Sequence, residues 1–484
     1  MKKYSLLLLL SCALLSGCDD FLSQVPDNRT SLDTGEKIAA LLVSAYPEGN
    51  YITFCEAMSD NVTQNTNSAI KDDRNADAYF WKDVASTAQD SPEYYWKSCY
   101  QAIAAANHAL EAIEKAGDPT EYQAQKGEAL VARAYSHFML VSLFANMYNP
   151  ATAAADPGIP YVTEPEKESL KTYERKTVAY VYEMIEKDLE EGIPLINDNA
   201  YQSIAFHFNK KAAHAFATRF YLFKQAYEKV IEHANQAFPN DAIKEYIREW
   251  NGEYQDLTAD ELGLHYTSSN EKANLLLCET SSLWARSYGR YQFATDNAKQ
   301  QEIVGSDNVM GGGYDYKVYL YSSLGTYFVL KFEEHFVVTN TNSNTGLPYT
   351  IVPLLSSEEM LFNRAEAYAK LGRYEEALAD LNIFASKRMS NYQPQHHDLN
   401  ENKVRDFYET GDTEEALIAA ILDMRRAEFL HEGLRWFDIL RYRLPVVHRT
   451  NSGEVYELNP GDPRRVLQIP PESITLGGLE PNPR

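Results

Sequence analysis

Residues Ser356 to Arg388 read SSEEMLFNRAEAYAKLGRYEEALADLNIFASKR, and the reading of this stretch decides the fold. Leu361, Ala365, Tyr368 and Leu371 recur at helical spacing, and after Gly372-Arg373 the period restarts with Tyr374, Ala377, Leu378, Leu381 and Phe384. The spacing predicts two amphipathic helices meeting at a tight turn. Small Ala365 and Ala377 let the two approach closely, and Gly372 stands where the first helix must stop and can take positive φ at little cost. Such a pair cannot bury its apolar faces alone, so partner pairs are expected elsewhere in the chain.

The stretch resembles a tetratricopeptide unit, whose period is about 34 residues. Working outward, Trp96, Tyr100, Ile103 and Leu110 mark a helix stopped by Gly117-Asp118-Pro119, and Leu130, Ala134, Phe138, Val141 and Ala145 mark its partner. Thr177 caps a helix carrying Val181, Ile185 and Leu189. Tyr221 and Tyr227 then flank Lys224-Gln225-Ala226 as Tyr368 and Tyr374 flank Gly372-Arg373. Helical pairs are thus expected near 94–147, 177–238, 356–388 and 414–443. From 250 to 353 the helical period fades, and β-rich pieces such as Leu275-Leu276-Leu277 and Tyr327-Phe328-Val329-Leu330 alternate with Gly, Ser and Asn loops. Asp60 to Asp90 also reads as loop, with Tyr79, Phe80 and Trp81 its large apolar cluster. The expectation is a mainly α fold, one body over 51–484 in which an irregular half rests on helical pairs, preceded by a polar segment over 18–50.

A net charge of −24 on 484 residues argues against nucleic acid or an anionic lipid surface as partner, because either would repel the whole molecule. The 34 tyrosines suit half-wet binding faces, each with an apolar ring and a polar tip, although helical cores use them equally. No HExxH, GxSxG or phosphate-cradling loop is present, and Gly311-Gly312-Gly313 lacks a following lysine. Neither catalysis nor a cofactor is expected. His207 and His214, seven apart, have no acidic or cysteine partner near in sequence and read as packed rather than metal-ligating. Arg425, Arg426, Glu428, Glu432, Arg435 and Asp438 alternate in sign, which predicts ion pairs between helices, with Trp436 in the core.

Met1-Lys2-Lys3 and the apolar run Leu6 to Leu10 have the form of an export signal over residues 1–17. Leu15-Ser16-Gly17-Cys18 resembles a lipobox, which makes Cys18 the expected lipid anchor, and Asp19-Asp20 resembles the acidic signal of surface lipoproteins. Cys55, Cys99 and Cys278 remain; at most one disulfide can form among three, and buried free thiols are expected.

Several blocks together resemble the SusD/RagB family of nutrient-binding outer-membrane lipoproteins. They are Gly127-Glu128-Ala129 through Arg133-Ala134-Tyr135 to Leu143-Phe144, then Gly158 to Thr163, and Thr177-Val178 with Asp188-Leu189. Arg364-Ala365-Glu366-Ala367, Arg425 to Phe429 with Glu432 to Asp438, Ile469-Pro470 and Asn482-Pro483 complete the set. The resemblance implies a SusD-like fold of four tetratricopeptide-type pairs under an irregular ligand-facing half. It also implies glycan capture for a SusC-like TonB-dependent transporter, or peptide capture as in the RagB branch. A helical-repeat scaffold without a small ligand is the third reading.

A sugar ring offers an apolar C–H face and a rim of hydroxyls, so a flat aromatic ring flanked by amides, carboxylates or guanidiniums is the surface to seek. Two segments have that composition: Trp81 with Asp60 and Asn61, and Trp284 with Arg286, Tyr288 and Tyr291. These seven residues are the expected ligand platform.

Overall fold

The computed structural model describes residues 32–65, 70–166, 172–340 and 345–484; the expected export signal, Cys18 and Asp19-Asp20 lie outside the described residues. Helices α1 (Gly35–Leu42), α2 (Ile52–Met58) and α3 (Asp73–Tyr79) lead into a long hairpin of α4 (Pro92–Glu114) and α5 (Gln123–Phe144). Along α5 lies α6 (Val178–Gly192), followed by the hairpin of α7 (Lys210–Phe223) and α8 (Tyr227–Ala237). Two short helices, α9 (Ala259–Tyr266) and α10 (Asn297–Val304), belong to the irregular half. The chain returns to helical pairs with α11 (Ser357–Lys370) and α12 (Tyr374–Arg388), then α13 (Glu401–Phe407), α14 (Thr413–Glu428) and α15 (Leu434–Arg441). The fold is mainly α, as the sequence predicts.

Local chemistry sets the boundaries. The Thr177 hydroxyl accepts from Tyr180 N at the start of α6, and that of Ser356 accepts from Glu359 N at the start of α11. Gly372 turns α11 into α12 with φ +73°, and Gln225 takes φ +62° at the matching turn between α7 and α8, where the side chain makes that conformation costlier. Helices α5 and α6 touch at glycines: a Cβ on Gly127 would stand 2.8 Å from the Gly192 carbonyl oxygen. One expectation needs correction. The segment 60–90 is not all loop, because Asp72 accepts from Arg74 N and nucleates α3, whose Ala78 and Tyr79 are buried.

Strands are few and short: β1 (Thr63–Gln64), β2 (Asn274–Ser281), β3 (Phe293–Ala294), β4 (Val318–Tyr321), β5 (Thr326–Val329), β6 (Glu334–Asn340), β7 (Thr345–Ser356), β8 (Val446–Arg449) and β9 (Val455–Leu458). An antiparallel sheet of order β2-β7-β6 is the largest, beside the pairs β1-β3, β4-β5 and β8-β9. Strand β7 runs directly into α11 through Ser356, so the sheet and the helical layer share one continuous backbone. Cys55, Cys99 and Cys278 are buried and free. Among the described residues no helix is long and apolar enough to cross a membrane.

Charge, not only apolar surface, joins the two halves. Fully buried Arg388 on α12 donates to both carboxylate oxygens of Glu428 on α14, at 2.6 and 3.0 Å, and to Glu358 on α11 at 3.2 Å. From the other side Arg248 reaches Glu358 at 2.7 Å, Tyr316 donates to Glu428 at 2.5 Å, and Lys331 pairs with Glu432 at 2.6 Å. Removing one member strands its partners without water. Arg388→Met is therefore expected to lower the unfolding free energy by about 3–5 kcal/mol. Urea unfolding followed by circular dichroism checks this, and a change below about 1 kcal/mol would show that the lattice does not hold the halves together.

Candidate functional site

The structure puts the expected platform residues largely inside the protein. Trp81 is 4% exposed, its indole N–H donates to Met58 O at 3.0 Å, and its ring stacks on His448 with centroids 4.4 Å apart. Trp284 is 3% exposed, donates to His431 O at 3.0 Å and lies against Tyr288 and Tyr291, which are 4% and 1% exposed. Asn61 is fully buried, giving its amide N–H to Glu56 and accepting from Arg426 Nε at 2.9 Å. Burial pushes the Glu56 carboxyl up to about 7, against the opposing pull of the His431 and Gly433 N–H groups and the Asn61 amide. Asp60 is held by Arg435 in a two-pronged pair with both contacts at 2.9 Å. Burial alone would raise its carboxyl, but Arg435 and Arg426 outweigh that and hold it well below the usual carboxylate range. Arg286 is exposed and paired with Glu334. An open platform on Trp81 and Trp284 does not match this geometry, because both indoles are sealed on their faces and satisfied at nitrogen.

The least buried ring of the first segment is instead Phe80. The column Trp81, His448, Tyr79 and Phe293 stacks at 4.4, 4.0 and 4.0 Å, and Phe80 leans edge-on against Tyr79 and Phe293 with Tyr456 on its flank. So supported, Phe80 stays half-buried and borders a groove of about 400 Å³ lined also by Gln64, Gln292, Asn451, Ser452 and Glu454. The Gln64 carbonyl oxygen accepts from Asn451 N at 2.9 Å, and its amide N–H donors have no protein acceptor among the described residues. Amide donors, hydroxyls and a carboxylate around a fixed ring can meet a C–H face and its hydroxyl rim together. Sequence reasoning missed the amides because they come from three distant places: β1, the residue before β3, and the β8–β9 turn. The available signal was that turn itself, Thr450-Asn451-Ser452-Gly453, between runs of β-favouring residues.

A larger cleft of about 1290 Å³ lies elsewhere, between α1, α4, residues 200–207 and the β2-β7 sheet. Behind its lining residues Tyr46 and His207, buried Glu128 accepts from the Tyr46 hydroxyl at 2.6 Å and contacts His207 Nδ1 at 2.7 Å, while Tyr201 stacks on the His207 ring. Glu36, Glu48 and Glu279 stand among its lining residues. Strand β2 is an edge strand there. Ser281 N donates outward to Glu48 O, and in the unbroken register from Leu277 to Ser281 the residues Leu277 and Glu279 share its parity and turn their backbone N–H and C=O away from β7. None of the seven expected platform residues lines this cleft.

Helical pairs of tetratricopeptide type thus carry a loop-rich half with concave, polar-lined surfaces. Residues 200–468 match the SusD family and residues 20–222 match the family described as SusD-like, starch-binding and associating with the outer membrane; the chain belongs to the SusD family. A putative sugar binding protein from Bacteroides vulgatus shares the fold with a TM-score of 0.70 at 20% identity, over 94% of this chain and 99% of its own. A SusD-like carbohydrate binding protein from the same organism follows at 0.67 and 16%, covering 92% and 97%. A SusD superfamily protein from Bacteroides thetaiotaomicron has a TM-score of 0.64 and 20% identity over 93% and 100% of the two chains. No curated protein matches the sequence significantly.

The burial of the two tryptophans generates a direct test. Trp284→Ala is expected to cost about 3–5 kcal/mol of stability by opening a core cavity. Chemical denaturation reads the loss, and a variant as stable as the wild type would return Trp284 to the list of ligand contacts.

Proposed function

We propose that this protein captures oligosaccharide or polysaccharide at the cell surface and delivers it to a SusC-like TonB-dependent transporter, without acting on it chemically. Membership of the SusD family and the sugar-binding relatives of the same fold support this reading. The observation that carries it is the Phe80 groove: a ring braced from behind, with Gln64, Gln292, Asn451 and Glu454 around it. The groove opens to solvent, which suits a chain bound side-on. Exported and acylated on Cys18, the protein would sit on the outer membrane with this surface available to the transporter.

A second reading, peptide capture, is favoured by the large cleft. The outward backbone groups of Leu277 and Glu279 offer an extended peptide a strand to pair with, and the carboxylates of Glu36, Glu48 and Glu279 suit a cationic side chain.

Phe80→Ala is expected to weaken glycan binding by about fivefold or more, in line with roughly 1 kcal/mol for a stacked ring, while lowering the melting temperature less than Trp284→Ala does. Calorimetric titration with a panel of oligosaccharides and of peptides measures it. Full glycan affinity in the variant would move the site elsewhere, and peptide binding lost on Glu279→Lys would favour the second reading. The Cys18→Ala protein is expected in the soluble fraction of fractionated cells; retention in the outer membrane would disprove the anchor.

A further inference from the structure

Away from both concave surfaces, three ligand-type side chains from separate segments converge at the start of the irregular half. Glu253 lies in a single 3-10 turn (Glu253–Gln255), His265 in the last turn of α9, and Glu271 in the loop leading to β2. Their nearest ligand atoms all lie within 4.8 Å of one another. His265 Nε2 stands 3.3 Å from Glu271 Oε2 and 3.8 Å from Glu253 Oε1.

Two further observations separate this cluster from a chance gathering of charge. First, His265 Nε2 is sealed from solvent and hydrogen-bonds to nothing among the described residues, although it faces two carboxylates. The separations are wider than the roughly 2.9 Å of a good N–H···O bond. They bracket instead the spacing of about 3.4 Å that bonds of 2.0–2.2 Å to one tetrahedral ion would impose on its ligands. Second, the ligand set is held from behind. Tyr254 donates its hydroxyl to Glu271 Oε2 at 2.7 Å, Ala273 N donates to Oε1 at 3.0 Å, and the Tyr254 ring meets the His265 imidazole edge-on at 5.0 Å. Outer contacts of this kind fix the orientation of metal ligands. The nearby cation, Arg248, is already engaged by Glu358 and Asn274 and does not fill the cluster.

We propose that Glu253, His265 and Glu271 bind a divalent transition-metal ion of the zinc class. One imidazole and two carboxylates neutralise a dication and suit zinc, whereas calcium asks for six to eight oxygen ligands that are not present here. Glu253 is 62% exposed at its side chain, so a fourth position is left to water. The ion would clip the 253 turn, α9 and the approach to β2 around the second apolar cluster of Trp250, Tyr254, Leu262 and Tyr266. The histidine pair weighed from the sequence, His207 and His214, takes no part: His207 meets Glu128, and His214 meets His233 at 2.9 Å.

The test is calorimetric titration of the chelator-treated, full-length folded domain with zinc chloride, and with calcium chloride as control. One zinc per chain is expected, with a rise in melting temperature and no saturable calcium binding. His265→Ala should abolish both effects, Glu253→Gln should weaken binding at a position that leaves the fold untouched, and Tyr254→Phe should weaken it by roughly tenfold. Cobalt substitution should give the visible absorption of a tetrahedral site, lost in His265→Ala. Absence of saturable zinc binding, zinc binding unchanged in both His265→Ala and Glu253→Gln, or calcium bound as tightly as zinc would each overturn the proposal.

Discussion

The buried ionic lattice around Arg388 is the constraint on which the rest of the structure depends. Taking Arg388, Arg248, Lys331, Glu358, Glu428 and Glu432 out of water is unfavourable by several kcal/mol for each ion, and only complete pairing offsets it. The arrangement comes close to that. Glu428 receives Arg388 and Tyr316, Glu432 receives Lys331 and Tyr266, and Glu358 receives two arginines and the Arg248 backbone N–H. The partners come from α11, α12, α14 and the irregular half, so these elements can satisfy their charges in only one mutual arrangement. An apolar interface of equal area would tolerate sliding; this one does not.

The same logic explains which residues carry the family resemblance. Arg133 and Asp188, Arg364 and Asp380, and Arg425 and Asp438 are buried pairs at 2.7, 2.6 and 3.0 Å, each fastening one helix to its neighbour. These six charged residues are thus pins of the scaffold. The aromatic column through Trp81, His448, Tyr79 and Phe293 does similar work, tying the N-terminal segment, the irregular half and the β8–β9 hairpin together. Each stacked pair adds about 0.5–1.5 kcal/mol beyond its buried area.

The helical layer was legible because its signals are local. Ala365, Tyr368 and Gly372 lie within one turn or two of each other, and their spacing carries its own meaning. Exposure is not local. Asp60 and Asn61 read as polar neighbours able to greet a hydroxyl, yet they are consumed by Arg435 and Arg426, more than three hundred positions away in the chain. Trp81 and Trp284 lie in stretches without helical period, and irregular backbone was equated with surface; carbonyls of Met58 and His431 satisfy their indoles inside the protein instead. The groove beside Phe80 was unreadable for the same reason, since Gln64, Gln292 and Asn451 meet only after β1, β3 and β8 have paired. Helix α3 was missed because seven residues give too short a window for a period to show.

The three sulfhydryls among the described residues have a consequence for how the fold is held. Burial raises the thiols of Cys55 and Cys99 far from ionisation and that of Cys278 to about 12, so almost no thiolate is available to react near neutrality. With Cys55, Cys99 and Cys278 all unbridged, the described fold rests on no sulfur cross-link that a reductant might sever. Oxidants, for their part, meet no accessible sulfur nucleophile at these positions. The described fold therefore forms and persists without any bond of these three sulfurs having to be made or repaired.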